Sequence, residues 1–289
     1  MRTIYIMAVW IIALLGSSAF ASTNSFSTMT SDPTSGVAQK DVIVEMNTTM
    51  GPVKILLYGD TPKHLNNFVK LVNEGYYDGV LFHRVINDFM VQTGDPNSKN
   101  AAKGEMLGMG DPSYRIEAEF VYPKHFHKRG ALAAAREGDA TNPNRESSGS
   151  QFYIVTGKTY TPGQLDQMER RLQLEQQKEI FGRLAKENRD SIMNMRRNRD
   201  QEGLAALQEK LIQESDSIMR QNPAKLTDEQ RSAYSTVGGT PHLDGTYTVF
   251  GEVLEGMDVV DAIQKVETDR NDRPLEDIRI TSMKVIGEK

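Results

Sequence analysis

The chemistry in this chain is densest in Phe82-His83-Arg84-Val85-Ile86-Asn87-Asp88-Phe89-Met90-Val91-Gln92-Thr93-Gly94-Asp95-Pro96. A permanent cation, Arg84, stands two residues after one aromatic and five before another, and Met90 and Gln92 follow. A guanidinium cannot be deprotonated inside a protein, so Arg84 is no base; it is a fixed charge and a hydrogen-bond donor. Such a donor beside an apolar pocket suits a reaction that needs electrostatic help and no proton transfer. The elements that must position it are short strands, because apolar pulses lie on either side of an Asn87-Asp88 turn. Residues i and i+2 of a strand share a face. Met90 and Gln92 then point together, and Phe89 points away unless a bulge re-aims it. By itself Phe-His-Arg reads as a snorkelling arginine at a strand end.

Two further segments change that reading: Ser148-Gly149-Ser150-Gln151-Phe152-Tyr153-Ile154 and Leu243-Asp244-Gly245-Thr246-Tyr247-Thr248-Val249-Phe250-Gly251. With the first stretch, and in this order, they make the chain resemble the cyclophilin-type peptidyl-prolyl isomerases over residues 42–158 and 240–288. The resemblance implies a mainly β fold, a closed eight-stranded antiparallel barrel capped by two helices. By position, Arg84 matches the family's catalytic arginine, supported by Phe89 and by Gln92, which hydrogen-bonds substrate backbone and orients the arginine. His83 belongs to the supporting wall. Phe89, Met90 and Leu243 match the proline pocket, with Tyr153 where phenylalanine is common. Ala135 and Gln151 match the groove for the residues preceding proline. His242 takes the place of a tryptophan or phenylalanine, and Tyr247 that of a histidine in eukaryotic members. Thr93 replaces the first of two glycines; together with His242 it argues against binding of the family's cyclic inhibitor.

The implied reaction follows from amide chemistry. Rotation about a peptide bond crosses roughly 18–20 kcal/mol because C–N resonance is lost, and unaided proline isomerisation takes tens to hundreds of seconds. In the twisted state the nitrogen becomes pyramidal and regains a lone pair that accepts a hydrogen bond. A donor held there binds the transition state better than either ground state. A 10⁵-fold acceleration needs about 7 kcal/mol, which preorganised electrostatics and desolvation can supply. No cofactor, metal or nucleophile is required. The expected substrates are proline-containing unfolded or flexible polypeptides. The alternative is a client-binding chaperone with incidental isomerase activity; intact Arg84, Phe89 and Gln92 favour the enzyme, since a pure binder needs no such donor.

Composition narrows the setting. The 289 residues are 38% hydrophobic and 25% charged, enough for a sizeable core, and the net charge of −5 argues against nucleic acid as the main partner. There is no cysteine, which excludes disulfides, thiolate nucleophiles and cysteine-ligated zinc. Arg2, the apolar run from Ile4 to Leu15 and Ala19-Phe20-Ala21 form the pattern of a secretory signal peptide over residues 1–21, with cleavage after Ala21. The run is shorter than the ~20 residues of a spanning helix, and no lipoprotein cysteine follows. The expected product is an exported, periplasmic monomer, not inserted in the membrane. Residues 22–40 are rich in Ser and Thr and read as a flexible linker.

The barrel is then expected in two parts, 41–158 and 240–289. Residues 42–46 and 53–58 read as a hairpin, and Thr61-Pro62 as the cap and first residue of a helix running to Gly75. A second helix is expected at 257–266 and a closing strand at 278–286. Residues 159–239 break the pattern. Leu165, Met168, Leu172, Ile180, Leu184, Ile192 and Met195 keep helical spacing, Leu204, Leu207, Leu211 and Ile218 repeat it, and Thr227 with Gln230 has capping-box spacing. An inserted antiparallel helical hairpin is expected, its narrow stripes chiefly burying each other. Two other constellations are set aside: Ser150, His83 and Asp95 lack the G-x-S-x-G elbow of a hydrolase, and His125-Phe126-His127 reads as a loop rather than a metal site.

Overall fold

The computed structural model describes residues 39–289; the leader expected at 1–21 and residues 22–38 of the linker lie outside them. The chain opens with strands β1 (Val42–Thr48), in which alternate residues are buried as a one-sided strand requires, and β2 (Gly51–Leu57), which ends in three buried residues, Ile55, Leu56 and Leu57. Helix α1 (Pro62–Asn73) follows, then β3 (Arg84–Ile86), β4 (Met90–Thr93), β5 (Arg115–Ile116), β6 (Ala131–Ala134), β7 (Ser147–Ser148) and β8 (Phe152–Val155). The insertion holds α2 (Pro162–Glu187), α3 (Arg189–Arg197), α4 (Gln201–Gln221) and α5 (Asp228–Thr236). Strand β9 (Val249–Glu255), helix α6 (Met257–Gln264) and strand β10 (Ile280–Glu288) complete the chain.

Eight strands form one antiparallel sheet in the order β10-β1-β2-β9-β6-β8-β4-β3. The closed barrel is corrected here: the sheet is a half-barrel, with no ladder between β3 and β10. Across that seam Leu81 and Arg279 make one antiparallel bridge, and Phe82 N–H donates to Ile278 O at 2.9 Å. Gly79 N–H donates to Ile280 O at 2.8 Å and Ile280 N–H to Val80 O at 2.9 Å, but β3 itself meets the turn before β10, Val85 N–H donating to Asp272 O at 2.7 Å. Inside the curl, Val44, Met46, Ile55, Leu57, Val91, Leu132 and Ile154 pack with Leu65, Phe68 and Leu71 of α1 and with Val260 and Ile263 of α6.

Helix α1 starts where Thr61-Pro62 predicts, but Thr61 makes no side-chain cap; its hydroxyl donates to Tyr58 O. The cap comes from Glu119, far along the chain, whose two oxygens accept the Lys63 and His64 amides at 3.0 Å each. A carboxylate suits the positive end of the helix dipole better than a hydroxyl.

The insertion leaves the barrel through a neck in which Lys158 and Gly239 form an isolated bridge. Gly239 has φ +155, and a Cβ there would lie 2.3 Å from His127 O, so only glycine lets the two backbones meet. The first arm of the hairpin is broken at Asn188, which caps the end of α2 and starts α3. Towards the tip, Ile180, Leu184 and Leu211 bury one another, as the narrow stripes predict. At the base the expectation of a self-contained hairpin fails. Leu165, Leu226 and Tyr234 pack on Phe126 of the barrel, and Tyr234 is wholly buried. Gln176 draws the two arms together above that base, donating to Asn222 O and accepting from Ala224 N–H, both at 2.8 Å.

We propose that the barrel folds without the distal arms but not without the base. Replacing residues 177–221 by a short Gly/Ser linker should leave a cooperative thermal unfolding transition within a few degrees of the full chain. Replacing 161–236 strips Phe126 and should cost about 3–5 kcal/mol, the scale of losing a large buried aromatic. Denaturant titrations of the two variants distinguish these outcomes.

Candidate active site

The site is laid out by strand register. Arg84 on β3 faces Gln92 on β4, Gln92 faces Tyr153 on β8, and Tyr153 faces Ala133 on β6. Residues directly opposite in antiparallel strands share a face, so these four side chains form one row on the outer surface of the sheet. Met90, two residues before Gln92, joins it. Phe89 does not point away. It is not in the strand but in the turn before it, where Asp88 at φ +56 and a Phe89 N–H to Ile86 O bond of 3.2 Å re-aim the ring beside Met90. Leu243 and Tyr247, from the segment before β9, complete the apolar wall.

These residues surround a cavity of about 300 Å³. His83, Arg84, Phe89, Met90, Gln92, Ala135, Tyr153, Leu243 and Tyr247 all line it. Two residues placed in the site by motif do not. His242 stands behind Phe89, the rings stacked 5.6 Å apart. Gln151 is buried and holds others: its amide nitrogen donates to Gly108 O at 3.1 Å and Gly110 O at 2.6 Å, and its oxygen accepts from Gln92 at 3.1 Å. The same loop is held from below by Asp95, which accepts from Gly108 N at 2.5 Å and Gly110 N at 3.3 Å. With both glycines tied inward, Leu107 is left lining the cavity. Arg84 is about half exposed, and its Nε lies 3.6 Å from Asp272.

Residues 43–215 and 217–285 match the family model described as Cyclophilin type peptidyl-prolyl cis-trans isomerase/CLD. A protein of Staphylococcus saprophyticus is 32% identical over 242 residues, covering 83% of this chain and 90% of its own. One of Staphylococcus aureus is 32% identical over 253 residues, covering 86% and 94%. Both are named as proposed peptidyl-prolyl cis-trans isomerases. The chain belongs to the cyclophilin-type peptidyl-prolyl cis-trans isomerases. Matches of that length run through the inserted helices as well as the barrel, which the three motifs alone did not reach. A crystal structure of a Cryptosporidium parvum cyclophilin-type isomerase superposes with a TM-score of 0.49 at 20% identity, covering 86% of this chain and 98% of that one.

Within this cyclophilin, four lining residues carry no local signal in the sequence: Leu107, Gly108, Arg136 and Asn271. Arg136 lies 4.3 Å above the Tyr247 ring and donates to Thr246 O at 2.8 Å, fixing that wall. The hydrolase reading fails on geometry: Ser150 Oγ donates to Gly94 O, and neither ring nitrogen of His83 has a partner. A better triad shape occurs elsewhere, with Ser147 Oγ 2.9 Å from His64 Nε2 and His64 Nδ1 2.7 Å from Glu119. Ser147 is 1% exposed and reaches no substrate; the chain of bonds ties α1 to its cap. The paired histidines separate, His125 stacking on Tyr58 at 3.9 Å and His127 turning into the interior.

His83 is buried against the cavity, and burial pushes its pKa from 6.5 down to about 4, with Asp95 opposing the shift. The folded form therefore resists a proton that the unfolded chain binds. The resulting stability is complete above pH 6.5 and is lost as the pH falls towards 4. The loss is on the order of 3 kcal/mol. In His83→Leu, which removes the titrating ring, urea unfolding should lose that much less stability than the parent between these two pH values.

Proposed function

We propose that this cyclophilin isomerises prolyl bonds of polypeptides by donating from the Arg84 guanidinium to the amide nitrogen as it pyramidalises. The observation that carries the reading is the row Arg84–Gln92–Tyr153, set by register beside the pocket of Phe89, Met90 and Leu243. A cavity of about 300 Å³ is at the small end of ligand sites and takes a prolyl unit rather than a folded surface. The proline ring enters the apolar wall, and Gln92, steadied by Gln151, holds substrate backbone. Asp272 keeps Arg84 extended along the rim without neutralising it, since a half-exposed pair is screened by water. Substrate covers the guanidinium, and removal of water strengthens its bond to the twisted amide. No step transfers a proton, so no group need titrate during turnover.

Arg84→Ala should fold with the stability of the parent, because a half-exposed side chain carries little of the core. Its kcat/KM on a proline tetrapeptide should fall by about 10²–10³, the effect of removing one preorganised donor. Parent-like rates from the folded variant would remove Arg84 from this role.

The proposed setting is protein folding outside the cytoplasm, supported by the leader pattern that ends at Ala21. Among the described residues no helix is long and apolar enough to cross a membrane. Mass spectrometry of the protein recovered from the extracytoplasmic fraction should give a chain beginning at Ser22. A Met1 terminus in the membrane fraction would contradict it.

A further inference from the structure

We propose that the last inserted helix belongs to the active site: Tyr234 and Gln230 of α5 clamp Asp244, and Asp244 acts through His127 to hold the Tyr153 hydroxyl in the wall of the proline pocket. These are positioning residues, and the proposal rests on the reading of that pocket given above.

The observation begins with a departure from the family motif. Tyr153 stands where phenylalanine is common, and it brings a hydroxyl into the pocket wall on a side chain that is only 4% exposed. A buried hydroxyl without a partner is costly. Here it meets His127 Nε2 at 3.0 Å, and His127 is itself fully buried. His127 Nδ1 lies 3.1 Å from Asp244 Oδ1, and its backbone N–H donates to the same oxygen at 2.8 Å. The carboxylate therefore draws the ring proton to Nδ1 and leaves Nε2 as an acceptor, so Tyr153 donates to His127.

The other carboxylate oxygen of Asp244 belongs to the insertion. Tyr234 Oη donates to it at 2.7 Å and Gln230 Nε2 at 3.2 Å. Burial, helped by the neighbouring carboxylate, pushes the Tyr234 hydroxyl far above its ordinary pKa, so it remains a donor. Gln230 is fixed in turn by the Tyr122 hydroxyl at 3.2 Å and by its place in the Thr227 capping box. A nearly buried carboxylate needs all these donors, because each one lost leaves charge without solvation. The chain α5–Asp244–His127–Tyr153 is continuous, and each member except the pocket ring lies outside the cavity.

The test is a double-mutant cycle in the full mature chain, measured by isomerisation of a proline tetrapeptide. Tyr234→Phe should lower kcat/KM about 3–10-fold in the parent and less than about 2-fold in a Tyr153→Phe background, because the hydroxyl it positions is gone. The carbon-13 signal of Tyr153 Cζ, which reports hydrogen bonding of the hydroxyl, should move in Tyr234→Phe and stay in place in Ser235→Ala on the exposed side of the same helix. Equal losses in both backgrounds, or an unmoved Tyr153 signal, would overturn the proposal. If Tyr234→Phe does not fold, Gln230→Met removes the second donor to the same oxygen and serves in the same cycle. Arg84→Ala, run alongside, separates the two readings: full activity there faults the pocket, whereas absent coupling with Arg84 still required faults only the relay.

Discussion

The register of β4 between β3 and β8 is the constraint on which the site depends. It places Gln92 opposite both Arg84 and Tyr153, with Val91 and Thr93 turned inwards. A slip of one residue would carry Gln92 into the core and Val91 to the rim, because side chains alternate with period two. The core guards against that slip: Val91, Leu132 and Ile154 are fully buried in three neighbouring strands, and they stack only in this register. The core and the candidate site are thus set by opposite faces of the same strands.

Buried carboxylates then refine what the ladder lays out. Asp95 ties down the glycines of the loop that forms one rim, and Asp244 ties the strap between the insertion and β9. Both lie beneath the surface they organise, accept from backbone amides, and leave the cavity lined by rings, methyl groups and a few donors. A pocket built this way has little to rearrange on being filled, and preorganisation of that kind lowers the cost of binding.

What could be read from the sequence was whatever the local chain determines. Arg84, Phe89, Met90 and Gln92 sit within nine residues, and alternation alone relates Met90 to Gln92. The helices announced themselves through Pro62, Pro162 and the Thr227–Gln230 box. Phe89 was misdirected because a left-handed Asp88 cannot be seen in alternation. The open seam between β3 and β10 is not legible in the sequence because its backbone bonds, Phe82 N–H to Ile278 O and Val85 N–H to Asp272 O, join distant segments that no local pattern relates. Asp272, Arg136 and Leu107 reach the site from distant segments with no repeating pattern, and Glu119 displaces Thr61 as cap from more than fifty residues away. His127 lies in a loop, as its sequence reads, but its burial gives no local signal because its partners, Tyr153 and Asp244, both stand much further along the chain.

The neck of the insertion has a consequence for how such a chain can be rebuilt. Its two strands leave the barrel side by side, Lys158 against Gly239, so the sheet experiences the whole helical arm as a closed turn. Entropy of closure grows slowly with length and is met here at the neck itself. The arm is therefore a portable cassette: to accept it, another barrel of this kind would need the same turn, a glycine at the crossing, and receptors equivalent to Phe126, His127 and Asp244. Length can change at the tip without disturbing the sheet, while the socket at the base is what must be inherited as a unit.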